Sequence, residues 1–426
     1  MHLHFLSPYL FFSKYFVGFT TPLLFVFDIM GKISKCLVCD SKNWNPVYQA
    51  SNVPLVPNAP LSNEQLTGEH FVSLDIVACA SCGLVFNSDF DASFIDKIYV
   101  NNYSSGISQS TENIKRLEEI ITTIITPQKV AHRTVVEIGA SDFAFSELMI
   151  KHGASKVIAF EPSDLFTVDN ANIVHVPTLF SVDAVPGGFH NVGLVVMRHV
   201  LEHLPDPLEA IRNMSQKAAP GTAVYIEVPN VHDIIAHNRF YDFFYEHVTY
   251  WSPSLLSKVM ESFGFKTIAV SDLVEGQHFG VLCTKQNQSA LATAGRILDT
   301  FCYEGCQLAK ETKKYLDILE RNIMTYKKVS IYGAGNHGLG VLSCLSPRIW
   351  HHICCVLDGN ELKHGQFAPK SHIPIMKPTQ SLIDSLDAIF VIAPLHQGVI
   401  CDTLSSKFNF QGDLWKTHPN IVLQPR

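Results

Sequence analysis

The sequence predicts an α/β protein, with a cysteine-clipped module before its parallel-sheet core and a smaller nucleotide-type α/β unit after it. Three observations predict this. Two Cys-x-x-Cys pairs stand near the N-terminus, strand-like apolar runs alternate with helical stretches between residues 101 and 284, and a new strand-glycine-helix pattern begins at Val329.

At 426 residues the chain exceeds one ordinary core, since domains run to roughly 100–200 residues. The expected divisions are an apolar extension over 1–30, a metal-clipped module over 31–100, a catalytic α/β domain over 101–285, and a helical connector with the last α/β domain over 286–426. With 47% hydrophobic and 17% charged residues the chain is not disordered. Its net charge of −7 and lack of basic runs leave no footprint for nucleic acid. The odd total of 11 cysteines, most of them irregularly spaced, excludes a secreted disulfide scaffold, so a cytoplasmic location is expected.

Residues 1–30 are rich in phenylalanine and leucine, but Pro8, Lys14 and Pro22 interrupt them. The uncharged run 15–27 is shorter than the ~20 residues of a spanning helix, so no integral membrane span is expected. Either translation begins at Met30, or the segment is a loosely attached extension or a weak interfacial anchor.

Cys36-Leu-Val-Cys39 and Cys79-Ala-Ser-Cys82-Gly83 each set two thiolates on a tight turn. Two such knuckles suit tetrahedral Zn2+ at ~2.3 Å per sulfur. Redox cysteines or free buried thiols are the alternatives. Four protein ligands leave no open position, so the expected zinc role is structural.

Val135-Val-Glu137-Ile-Gly139-Ala-Ser141-Asp142 reads as a buried strand entering a glycine turn, with a helix over 145–152. The next strand, 157–160, ends at Glu161-Pro162-Ser163. An acid about 20 residues past such a glycine can accept both ribose hydroxyls of a nucleoside. Together these describe an adenosine-type pocket; a plain strand-turn-helix with a surface glutamate is the bland alternative. A third strand then runs into Arg198-His199-Val-Leu-Glu202-His203-Leu-Pro-Asp-Pro at the carboxyl edge of the sheet. His199-x-x-Glu202-His203 also matches an inverted zinc-protease motif, but that motif belongs within one helix, and here a buried strand leads into it.

The strand "VVEIGASD", the acid in "AFEPS", the loop "RHVLEHLPDP" and the strand "YIEVPN" resemble class I S-adenosylmethionine (SAM)-dependent methyltransferases. With the cysteine knuckles and the last α/β unit, residues 31–426 resemble the three-domain C-methyltransferases that act on nucleotide-linked deoxysugars. The resemblance implies a class I, Rossmann-like methyltransferase core. It places Gly139, Asp142, Glu161 and His199 at SAM, with Glu137, Ser141, Pro162 and Arg198 beside them. One departure is Ser141-Asp142-Phe143, where the family carries an asparagine-aspartate-glycine turn.

The stretch 240–252 is unusually aromatic and sets Glu246 beside His247. Carbon methylation needs a base to remove a proton beside a ketone, and histidine suits that transfer. The resemblance supports His247 as base with Glu246 positioning the acceptor. A core aromatic cluster with a hydrogen-bonded histidine is the bland alternative. Phe244 stands where the family carries a tyrosine, so a hydroxyl contact is either lost or shifted to Tyr245, with Tyr250 a further substrate contact. Tyr103-Ser104-Ser105 resembles the family's other substrate-contacting segment.

Gly333-Ala-Gly335-Asn-His337-Gly338 follows a strand, opens a helix and precedes Asp358. From the residues alone this is a dinucleotide fingerprint and motivates an NAD-dependent oxidoreductase as rival. The resemblance instead gives this lobe the framing of a sugar nucleotide, with Gly333, Gly335 and His337 at the substrate; a purely structural lobe is the third option. The expected partner is a small molecule, a nucleotide-diphosphate sugar, and the expected state a monomer or weak homodimer. Another methyl acceptor and a catalytically silent binding protein are further alternatives.

Overall fold

A computed structural model describes residues 32–94, 111–163, 165–287 and 307–425. Their strands form three sheets. The first contains β1 (Trp44–Pro54), β2 (Phe71–Cys79) and β3 (Val85–Asn87), joined antiparallel. The Cys36 knuckle precedes β1, and the Cys79 knuckle turns β2 into β3.

The second sheet has seven strands: β4 (Thr134–Ile138), β5 (Lys156–Phe160), β6 (Ile173–Val176), β7 (Val192–Arg198), β8 (Ala223–Pro229), β10 (Phe265–Leu273) and β11 (His278–Lys285). Their spatial order is β10-β11-β8-β7-β4-β5-β6; β4 to β8 pair in parallel, and the β11–β8 and β10–β11 pairs are antiparallel. The central strands are apolar on both faces because both are covered: Val136 and Ile138 enter one core cluster and Val135 the other. Helix α1 (Thr111–Glu119) and α2 (Ala144–Lys151) pack together, and α3 (Pro207–Lys217) follows β7. Asp206 starts α3 by accepting the Glu209 N–H at 2.9 Å, with Pro207 at the first helical position.

β9 (Thr249–Tyr250) leaves the central fold to pair with β3 in the first sheet. Phe86 faces Thr249 there, so the strand following Glu246-His247 is anchored on the cysteine module. Helix α4 (Pro253–Ser262) returns the chain to the second sheet, capped by Ser252.

Within 286–326, α5 (Leu308–Ile323) is the expected connector helix. Beyond it lies the third sheet: β12 (Val329–Tyr332), β13 (Ile353–Leu357), β14 (Ile375–Met376), β15 (Ala388–Val391), β16 (Asp413–Lys416) and the antiparallel β17 (Val422–Leu423), in the order β14-β13-β12-β15-β16-β17. Helix α6 (Asn336–Cys344) follows β12. One continuous apolar cluster runs from Ile33 and Cys36 through the second sheet to Ile392. Among the described residues no helix is long and apolar enough to cross a membrane.

Candidate active site

In the second sheet β4 lies between β5 and β7, so the connections leave it in opposite directions. Open α/β sheets bind ligands at the carboxyl end of such a switch point. The glycine turn after β4 meets the loop after β7 there. Gly139 has φ +74°, and a Cβ on it would come within 2.5 Å of Val200 Cγ2, so only glycine fits. Ser141 (φ 51°), Phe143 (φ 61°) and His199 (φ 52°) are also left-handed, concentrating backbone strain at this edge. Phe143 holds the conformation usual for glycine because its ring is buried, edge-on to His175 at 5.0 Å.

Glu161, at the end of β5, spans this turn: Oε2 accepts the Ser141 N–H at 2.7 Å and Oε1 the Ser163 N–H at 2.9 Å. Asp142 Oδ1 accepts the Ala144 N–H at 3.2 Å at the start of α2, and Pro162 is exposed. Glu137 and Arg198 lie beneath. Burial pushes the Glu137 carboxyl up to about 7 despite a hydrogen bond from the Ser146 hydroxyl. Arg198 Nε pairs with Glu227 at 2.7 Å, and its guanidinium covers the Phe145 ring at 4.9 Å.

His199 stands between two carboxylates, with Nε2 3.2 Å from Glu227 and Nδ1 3.4 Å from Glu202. Burial acts against its charge, but the neighbouring carboxylates of Glu202 and then Glu227 prevail and push it up to about 9, so it is an imidazolium at neutral pH. Its ring meets His278 edge-on at 4.8 Å.

Across the edge, the chain after Tyr245 brings Glu246 and His247 to the loop after β7. Val248 N–H donates to the Glu202 carbonyl at 2.8 Å, and Asn87 N–H to the Val248 carbonyl at 3.1 Å, which fixes His247 between the central fold and the cysteine module. His247 is 7% exposed and ringed by Phe244, Tyr250 and His203 at 4.7–5.6 Å. Burial first, then the neighbouring His203, His199 and His278, holds it well below the ordinary histidine range. Its Nδ1 has no hydrogen-bond partner among the described residues. Burial raises Glu246, partly opposed by His203.

The two tyrosines expected at the substrate have other partners. Tyr250 is 2% exposed; its hydroxyl donates to the Phe244 carbonyl and accepts the Phe244 N–H, both at 2.9 Å. Tyr245 turns to the first sheet, where its ring meets Phe90 and its hydroxyl accepts the Asp91 N–H at 2.9 Å. Both hydroxyls thus hydrogen-bond to main-chain groups of the protein. Tyr103 and Ser104 lie outside the described residues.

In the third sheet, Gly333 has φ +121°, and a Cβ on Gly338 would overlap the Gly333 carbonyl at 1.8 Å. Gly335 faces open space. Asp358 repeats the device of Glu161, accepting the Ala334 N–H at 2.7 Å. His337 packs on Tyr241, with ring centres 4.8 Å apart, and lies 3.6 Å from Asp242, joining the third sheet to the second.

Cys36 and Cys82 sulfurs are 3.5 Å apart, as are Cys39 and Cys79, far beyond a disulfide bond. All four sulfurs lie within 4.8 Å of one another. This is the spacing of a four-thiolate metal set.

Sequence reasoning missed Glu227 and His278. Glu227 receives Arg198, His199 and, at 3.5 Å, Arg116. One signal was legible: an acid inside the otherwise apolar run of β8 needs buried partners.

The family description "Methyltransferase domain" matches residues 110–270, and "C-methyltransferase C-terminal domain" matches 297–416. The chain is 24% identical over 388 residues to C-methyltransferase NovU of Streptomyces niveus, covering 83% of this chain and 88% of that one. Similar solved structures include 1,6-didemethyltoxoflavin-N1-methyltransferase of Burkholderia thailandensis, at 12% identity and TM-score 0.35 over 46% of this chain and 89% of that one. Human N-acetylserotonin methyltransferase is similar at 13% identity and TM-score 0.32, over 45% and 59%. With a glycine turn at the switch point, a four-cysteine module before it and a C-methyltransferase C-terminal domain after it, this chain belongs to the three-domain SAM-dependent C-methyltransferases.

Proposed function

We propose that this cytoplasmic C-methyltransferase places the methyl group on a carbon beside the ketone of a nucleotide-diphosphate 4-keto-deoxysugar, with His247 as base. The observation that carries this reading is the buried, low-pKa imidazole with an unpartnered nitrogen, set at the edge that holds the glycine turn. Such a histidine keeps its lone pair throughout the neutral range and can accept the proton. The electron pair left on the acceptor passes to the ketone oxygen, and the enolate carbon forms the new bond to methyl as the sulfur–methyl bond breaks. The protonated His247 gains support from the Glu202 carboxyl, within 4.8 Å of its ring, and Glu246 positions the acceptor.

The residues at the turn fit SAM, which supplies an electrophilic methyl group when bound. Gly139 lets Val200 of the loop after β7 close on the turn, and Glu161 stands ready to exchange backbone N–H donors for ribose hydroxyls. Asp142, Ser141, Pro162 and His199 border this turn, while Glu137 and Arg198 support it from beneath. The four cysteine sulfurs fit structural Zn2+. In the last lobe Gly333 makes the tight turn, Gly335 leaves the backbone open toward a sugar nucleotide, and His337 locks that lobe to the central fold.

The test uses labelled SAM with a panel of nucleotide-linked 4-keto-deoxysugars, comparing wild type with His247→Ala. Carbon-bound label that disappears in the variant supports the proposal. SAM binding without transfer to any sugar removes the sugar as acceptor.

A further inference from the structure

We propose that Glu202, His203 and His247 form a binding site for one first-row divalent transition-metal ion, distinct from the four-cysteine set. One ligand atom from each of the three lies within 4.8 Å of the others. Two histidines and a carboxylate are a ligand set for zinc and its neighbours.

Lone pairs converge here without donors to meet them. His203 Nδ1 lies 3.1 Å from the Glu246 carbonyl, which can only accept, so Nδ1 carries the proton and Nε2 presents a lone pair. Metal-binding histidines are oriented by such a bond from the other ring nitrogen. Glu202 is 1% exposed, and neither carboxylate oxygen has a hydrogen-bond partner among the described residues. Its nearest cation is His199, 3.4 Å away and shared with Glu227. A buried carboxylate so placed calls for further positive charge. The third ligand, His247, is also more than nine-tenths buried and has its own unpartnered nitrogen, Nδ1.

A second triad, His199, Glu227 and His278, makes the contrast. There Glu227 already receives two arginines and His199, and the guanidiniums of Arg116 and Arg198 oppose a cation. Around Glu202 no arginine pairs with the carboxylate among the described residues.

Bond lengths of about 2.1 Å would bring the ligand atoms to roughly 3.4 Å from one another, a contraction within reach of side-chain rotation. The ion would occupy the lone pair that His247 needs as a base. If the preceding reading of His247 holds, metal and methyl transfer therefore exclude one another.

Cobalt(II) titration of the full-length metal-free protein, followed by visible absorption and calorimetry, tests the site. Two equivalents are expected: one with the sulfur-to-cobalt charge-transfer band of the cysteine set, and one with only the weak bands of nitrogen and oxygen ligands. Glu202→Gln and His203→Ala should each weaken the second by at least about 100-fold, beyond the 10–100-fold typical of outer-shell losses, and leave the thiolate band as a control for folding. Binding of only one equivalent by wild type overturns the site, as does a second equivalent that survives both substitutions. Because the readout is binding, it stands whether or not any sugar accepts a methyl group.

Discussion

Glu161 follows Ser141 by 20 residues, yet its carboxylate accepts the Ser141 amide N–H at 2.7 Å and closes the glycine turn from the neighbouring strand. A bound ribose would replace that donor with two hydroxyls. Glu161→Gln keeps the size but loses the charge that strengthens such bonds, worth about 1.5–3 kcal/mol. SAM affinity measured by calorimetry should fall by roughly 10–100-fold.

Gly139→Ala puts a methyl group 2.5 Å from Val200 Cγ2 on a residue with φ +74°. Strain and overlap together should cost more than about 1 kcal/mol and move the loop after β7. Thermal unfolding should begin ~2–4 °C lower for each kcal/mol, and SAM should no longer stabilise the variant.

Phe143→Gly separates backbone strain from packing. Glycine would relieve about 1–2 kcal/mol of left-handed strain, but loss of a buried phenylalanine ring costs about 3–5 kcal/mol. Because the ring is only 1% exposed, packing wins: chemical denaturation should show net destabilisation of about 2–3 kcal/mol.

His247→Ala should lower carbon methylation by ~10²–10⁴-fold while SAM binding stays near wild type. With the imidazole held well below the usual histidine value of 6.5, the acid limb of kcat/KM in wild type should fall below pH 6.5. A limb at or above 6.5 would assign the titration to another group.

His199 gives the opposite pH signature. Its folded pKa is raised from 6.5 to about 9, so its stabilisation is fully present below pH 6.5 and is lost as pH rises through about 9. Melting temperatures from pH 6 to 9.5 should decline less steeply in His199→Gln than in wild type.

The sequence by itself determined the features that depend on near neighbours. The knuckles at Cys36 and Cys79, the strand entering Gly139, the acid ending the next strand and the glycine turn at Gly333 are each complete within a few residues. Strands buried on both faces, glycine-only turns and paired thiols leave local patterns. Tertiary structure decided what meets across the sheet. It brought Glu202 and His203 to His247, gathered Arg116, Arg198 and His199 on Glu227, and drew the segment after His247 into the first sheet through β9. It also committed the hydroxyls of Tyr245 and Tyr250 to bonds within the protein. The physical reason is that periodicity reports which face of an element is buried. Strand order and crossovers decide which distant loops share an edge, and they leave no trace in the spacing of residues along the chain.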